Sequence, residues 1–187
     1  MIQLRSLLKH LHEEKKPTVL KGTEWLSLMK MDTPNGEYVY SHENRCDGNI
    51  VAVLPYRREG RDAWSYGVRK EVTPSWGLKP EFSSVTGGVD KGESPEEMAV
   101  KELKEETGYI CETKDLKSLG TCRGTKSTDT LYHLFAVDVT DLKMGEKTGD
   151  GSVYDTEAEF EMMTDTAELR KKVVDPIWFT MVMRLGF

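Results

Sequence analysis

Glu102, Glu105 and Glu106 stand at relative positions 0, 3 and 4 within the run Lys-Glu-Leu-Lys-Glu-Glu. At ~100° per residue a helix places all three on one stripe. Like charges so spaced repel by about 0.2–0.5 kcal/mol a pair. Lys101 and Lys104 flank that stripe rather than sit within it. Hard carboxylate oxygens in this number suit Mg²⁺ or Mn²⁺. The same stripe would repel any anionic ligand, and a divalent cation would remove that conflict. A cation held there would lower the pKa of a bound water. Taken alone, such a run also describes a solvated helix face. The surrounding frame decides between the two.

That frame is a well-punctuated helix. Ser94 is a good N-cap, Pro95 suits the first helical position, and Glu97 completes a capping box. Gly108, after Thr107, is a C-terminal stop. The predicted helix therefore spans residues 95–107. Ala99, Val100, Leu103 and Thr107 form its core stripe. The acid stripe lies beside it, on the solvent side. Upstream, Thr86-Gly87-Gly88 lets backbone come close to a metal or phosphate.

From Gly87 the chain reads GGVDKGESPEEMAVKELKEETGY. This resembles the Nudix box, G-x5-E-x7-R-E-U-x-E-E-x-G-U, with U a bulky apolar residue. Gly87 takes the first Gly, Glu93 the first Glu, and Glu102 the Glu after the box Arg. Leu103 takes U, Glu105 and Glu106 the paired Glu, Gly108 the last Gly and Tyr109 the final U. Two positions depart from the pattern. Lys101 stands where the box has Arg, and Tyr109 is aromatic where an aliphatic residue is usual.

The resemblance implies an α/β Nudix fold, a mixed β-sheet between helical layers in an α/β/α sandwich. It implies hydrolysis of a nucleoside diphosphate linked to another moiety, with Mg²⁺ or Mn²⁺. By resemblance, Glu102, Glu105 and Glu106 hold the metal together with the Thr86 carbonyl, and Glu102 and Glu105 are catalytic. Gly87 and Gly88 face the substrate. Glu93 steadies the loop through the box cation. Lys101 can pair with it but cannot form a planar bidentate bond. Nudix pyrophosphatases often draw a further glutamate, as ligand or general base, from late in the domain. Residues 150–169 hold seven Asp/Glu and no Lys, Arg or His, and Glu157 and Glu159 are the candidates there. Arg69 and Trp76 precede the box and are the candidates for binding phosphate and stacking a base.

Substrate choice stays open at this level. Residues 1–48, ahead of the core strands, favour an ADP-ribose or nucleotide-sugar pyrophosphatase. The proline common past the box in ADP-ribose hydrolases is absent, Thr125 and Lys126 standing in that region. A (d)NTP, a dinucleotide polyphosphate and a capped RNA end are the alternative substrates. A non-catalytic nucleotide-binding module of the same fold is the alternative class, and the intact glutamates argue against it.

The rest of the chain sets the bounds. Its 187 residues predict one domain, with residues 1–48 as a helix-plus-hairpin extension. The net charge of −6 gives no footprint for duplex nucleic acid, and no apolar run spans a membrane. Mean hydropathy is −0.54. Cys46, Cys111 and Cys122 form no CxxC pair and read as reduced thiols of a cytoplasmic protein. Leu4, Leu7, Leu8 and Leu11 predict an amphipathic helix over 3–14, ended by Pro17. With the following hairpin it has apolar surface to bury, which predicts a homodimer.

Strands are expected over 19–31, 38–41, 50–56, 64–72, 116–122, 131–139 and 160–163. Loops are expected over 73–83 and 140–156. A helix is expected to start at Asp165, and a last one to run from Pro176 to Leu185, closed by Gly186.

Overall fold

The computed structural model describes residues 16–61, 63–149 and 158–186. Strands β1 (Thr18–Gly22), β2 (Leu26–Thr33) and β3 (Gly36–Glu43) form an antiparallel sheet. Strands β4 (Asn49–Glu59), β5 (Ala63–Glu71), β6 (Glu81–Ser83) and β7 (Val85–Gly88) follow. Next come helix α1 (Pro95–Thr107), β8 (Tyr109–Ile110), a 3-10 turn (Thr113–Asp115), β9 (Lys117–Cys122) and β10 (Leu131–Asp138). The chain continues through β11 (Lys143–Met144), β12 (Glu159–Thr164), α2 (Ala167–Lys172) and α3 (Pro176–Leu185).

The main sheet is mixed, in the order β12-β5-β4-β10-β9. β10 runs parallel to β4, and the other pairs are antiparallel. β4 and β5 pair only from Tyr56 to Glu59. Beyond that point β7 takes the edge of β4 and β6 the edge of β5. The sheet thus splits where the Gly87-Gly88 pair lies.

β4 explains the layering around it. Its run Val51-Ala52-Val53-Leu54 is apolar at every position because both faces are covered. Val51 and Val53 pack with Val85, Phe135 and the α1 residues Ala99 and Leu103. Ala52 and Leu54 pack with Tyr66, Val68 and the α3 residues Trp178 and Met181. Trp178 has no exposed surface, and its Nε1–H donates to the Gly67 carbonyl at 3.0 Å. Asp175 caps α3 by accepting from the Ile177 amide at 2.8 Å. Its other oxygen accepts from the Ser84 amide at 3.0 Å and the Ser84 hydroxyl at 2.5 Å. One carboxylate thereby ties the start of α3 to the residue preceding β7.

Several expectations change. The single strand expected over 19–31 is two, because Thr23 Oγ1 accepts from the Trp25 and Leu26 amides at 3.2 and 3.1 Å and turns the chain. β6 and β11 are short strands inside segments expected to be loops; each has a partner supplied from elsewhere in the chain. Thr166, not Asp165, caps α2, its hydroxyl accepting from the Leu169 amide at 3.1 Å. Asp165 instead forks onto Arg170 at 2.7 and 2.6 Å. The helix expected over 3–14 lies outside the described residues.

Burial pushes the Cys111 thiol up to about 11, so it stays protonated as a core residue. Among the described residues no helix is long and apolar enough to cross a membrane.

Candidate active site

Helix α1 is set locally, as its sequence requires. Ser94 Oγ accepts from the Glu97 amide at 3.2 Å, and Glu97 Oε2 accepts from the Ser94 amide at 3.0 Å. Gly108 turns left-handed at φ 81°, and its amide donates to the Lys104 carbonyl at 2.9 Å. Met98, Ala99, Leu103 and Thr107 face the core, with Val100 only partly buried. Tyr109, the aromatic departure from the box, is buried and meets the Phe160 ring edge-on at 6.1 Å.

Glu102 lies directly against Gly87. A Cβ built on Gly87 would stand 2.0 Å from Glu102 Oε1 and 2.1 Å from its Cδ. The glycine is there for space, since its backbone is not in the left-handed region. Glu102 and Glu105 are partly exposed. Thr86 and Gly88 are partly exposed as well, paired across β7 with Ala52 and Ile50 of β4.

Glu106 departs from the solvent-side stripe. It is buried, and its Oε1 accepts from Arg69 Nη1 of β5. Arg69 is itself buried, with Glu71 Oε2 at 3.4 Å from the same nitrogen. Ser83 Oγ donates to Glu71 Oε1 at 2.8 Å. Arg69, the candidate for a substrate phosphate, has its guanidinium engaged with these carboxylates inside the protein. Glu71 has no place in the box pattern. Its signal was its position two residues after Arg69, on the same face of a strand.

Lys101 does not reach for Glu93. Its Nζ lies 3.2 Å from Asp90 Oδ2, and that hydrogen bond raises the lysine above its ordinary pKa. Glu93 is exposed, and its amide donates to the Asp90 carbonyl at 3.1 Å. The cation at the box Arg position thus pairs with Asp90, its side chain 44% exposed, and not with Glu93.

The late glutamates separate. Glu157 lies outside the described residues. Glu159 sits in strand β12, not in a loop, where the β5 register sets it opposite Lys70. Its Oε2 lies 2.9 Å from Lys70 Nζ, and this bond holds the carboxyl below its usual range. Trp76 is half-exposed on the loop between β5 and β6. It lines a cavity of about 400 Å³ with Tyr132, Glu81 and Asp175.

Among the described residues no three His, Cys, Asp or Glu side chains converge as a closed cage for a metal. Mg²⁺ is usually held by one or two carboxylates with waters and substrate phosphates. The pair Glu102 and Glu105, both partly exposed, fits that kind of site, and the bare Gly87 leaves room for it.

The NUDIX domain family model matches residues 48–175, which include the whole box. No curated protein matches the sequence. Among solved structures, one described as the crystal structure of an ADP compounds hydrolase is 19% identical, with a TM-score of 0.59. The match covers 91% of this chain and 92% of that one, and it shows a common fold. The protein belongs to the NUDIX family and is a Nudix hydrolase. Members of that family generally use divalent metals and act on small nucleotide substrates.

Proposed function

We propose that the protein is a Mg²⁺- or Mn²⁺-dependent pyrophosphohydrolase of nucleoside diphosphates linked to a second moiety, with ADP-ribose or a nucleotide sugar as substrate. The observation that carries this reading is Glu102 seated on Gly87, with Glu105 beside it on the exposed side of α1. Likeness over nearly the whole chain to an ADP compounds hydrolase supports the fold on which this reading stands. In this reading Glu102, Glu105 and Glu106 with the Thr86 carbonyl hold the cation, and Gly88 and Trp76 face the substrate. When bound, the cation would supply Lewis-acid chemistry at a phosphoryl oxygen and at a water. Glu102 and Glu105 are the residues that would orient the attacking water. The loop held by Lys101 and Asp90 fixes the backbone at Gly87-Gly88.

A screen of nucleoside diphosphate conjugates with Mg²⁺, read by product mass, tests the reading. Release of a nucleoside monophosphate that stops in excess chelator is expected. Turnover indifferent to chelator would remove the metal role. Turnover confined to nucleoside triphosphates would reassign the substrate.

The same reading takes residues 1–187 as one domain, an α/β/α sandwich with residues 1–48 added, working in the cytoplasm without membrane or duplex nucleic acid. It also takes the protein as a homodimer. Val19, Leu20, Leu26, Leu28 and Val39 are exposed on the β1–β3 sheet, and Trp25 on its turn. Exposed apolar side chains on a small sheet of this kind favour association with a second copy. Light scattering is expected to return twice the chain mass of 21.3 kDa. A monomer mass at micromolar concentration refutes the dimer.

A further inference from the structure

We propose that His42 is a positioning residue for substrate binding: its imidazole, bonded to Asp129 and facing Asp47, fixes the turn at residues 43–49, which lines a cavity beside Gly88. The inference rests on the reading above, in which Gly88 faces the substrate. It goes beyond that reading by giving the residues ahead of β4 a part in substrate affinity.

The turn is where the β1–β3 sheet passes into β4. The Gly48 amide donates to the Glu43 carbonyl at 2.9 Å and closes it. Asp47 and Gly48 both lie in the left-handed region, at φ 48° and 72°. Among the described residues Asp47 is the one residue other than glycine so placed. Such a backbone persists where the surroundings hold it. His42, near the end of β3, supplies the hold. Its Nδ1 lies 2.9 Å from Asp129 Oδ2, and its Nε2 lies 3.4 Å from Asp47 Oδ1. Gly48 lies against both partners: a Cβ built there would stand 3.5 Å from Asp129 Oδ1 and 3.7 Å from His42 Nδ1. Asp129 Oδ1 is buried and bonds nothing among the described residues, so His42 is the side chain that satisfies this carboxylate there. Asp47 is 93% exposed and its attraction is screened by water, so the Asp129 bond carries the hold.

What the turn holds lies beside the candidate active site. Cys46 is buried against Gly88, where a built Cβ would stand 3.0 Å from the Cys46 Cβ. The Asn49 carbonyl, at the end of the turn, accepts from the Val89 amide at 2.9 Å. The turn and the box loop line one cavity of about 530 Å³, with Arg45, Asp47 and Asn49 from the first and Val89, Lys91 and Glu93 from the second. That size and polar lining suit the hydroxyl-bearing moiety joined to the nucleotide. Removing the imidazole leaves the Asp129 carboxylate without its partner and frees a backbone held in an unfavourable conformation. The cavity is then preformed in only a fraction of molecules, and substrate affinity falls by that fraction. The carboxylates of α1 are untouched, so KM moves and kcat does not.

The test is steady-state hydrolysis of ADP-ribose, or of ADP-glucose where that is the better substrate, by the full-length protein in saturating Mg²⁺. The proteins are wild type, His42→Ala, His42→Asn and His42→Gln. His42→Ala is expected to raise KM about 10-fold, the order of one charge-assisted hydrogen bond, with kcat within about 2-fold of wild type. His42→Asn is expected to bring KM back close to wild type, because its Nδ2 stands where the imidazole Nδ1 does and donates to Asp129. His42→Gln moves the donor towards Asp47 and is expected to keep KM raised. It also carries the test should His42→Ala fail to fold. Amide hydrogen exchange over residues 43–49 is expected to quicken in His42→Ala and to slow again in His42→Asn. A lowered Tm with KM unchanged in both His42→Ala and His42→Gln would make His42 merely structural and overturns this inference alone. A loss of kcat at unchanged KM overturns it as well. Turnover of neither substrate by wild type overturns the reading on which the inference rests, and the inference with it.

Discussion

Gly87→Ala is expected to lose about 10²–10⁴-fold in kcat, the range for removal of a positioned catalytic group, while the protein stays folded. The alanine Cβ would lie 2.0, 2.1 and 2.5 Å from Oε1, Cδ and Cγ of Glu102. No real Cβ tolerates such distances, so something moves. Gly87 lies within β7 and pairs with Val51 of the buried strand β4. Its backbone is held by the ladder, and its φ is one that alanine adopts freely. Glu102 is a partly exposed side chain on a helix surface, and it yields first. The substitution therefore removes the placement of one carboxylate and leaves its charge. Circular dichroism and a Tm near that of wild type establish folding, and turnover with saturating Mg²⁺ reads the effect. Near-normal kcat in folded Gly87→Ala would dismiss Glu102 from the chemistry.

The largest stability effect is expected at Trp178. Trp178→Ala should cost about 3–5 kcal/mol, as large-to-small changes of buried aromatics do. The side chain has no exposed surface and meets Tyr66 edge-on at 5.8 Å and Phe179 at 5.2 Å. Its loss also strands the Gly67 carbonyl, which accepts from Nε1 at 3.0 Å. A domain has only about 5–15 kcal/mol in total, so the change takes a large share. Urea unfolding gives the figure directly. A cost below about 1 kcal/mol would mean that the core around α3 repacks without it. Gly67 precedes Arg69 by two residues on β5, so the same variant is also expected to loosen the strand that carries Glu106's partner.

Helix α1 was legible in the sequence because everything that shapes it is local. Ser94, Pro95 and Glu97 start it, Gly108 stops it, and hydrogen bonds of three or four residues' reach join them. The Asp175-Pro176 start and Gly186 end of α3 follow for the same reason. The box glutamates were legible too, since their spacing along one helix is a matter of period. Strand β4 was legible because its apolar run is short and rich in β-branched residues, as a strand covered on both faces requires.

What the local signals could not decide was which partner each charge would take. A 3.6-residue period places Glu102, Glu105 and Glu106 on one stripe, but the edge of that stripe that turns inward depends on how α1 docks. Docking through Ala99 and Leu103 brings Glu106 inside and leaves Glu102 and Glu105 partly exposed. Arg69 meets Glu106 because the sheet splits beyond Tyr56, and Glu159 meets Lys70 because β12 pairs with β5 in that register. The sequence by itself determined the acid helix, the bare glycine opposite it and the family to which they belong. Tertiary structure alone decided which carboxylate is buried and which cation holds it. Ion pairs between distant segments are chosen by sheet register and helix docking, and neither is written in any local spacing.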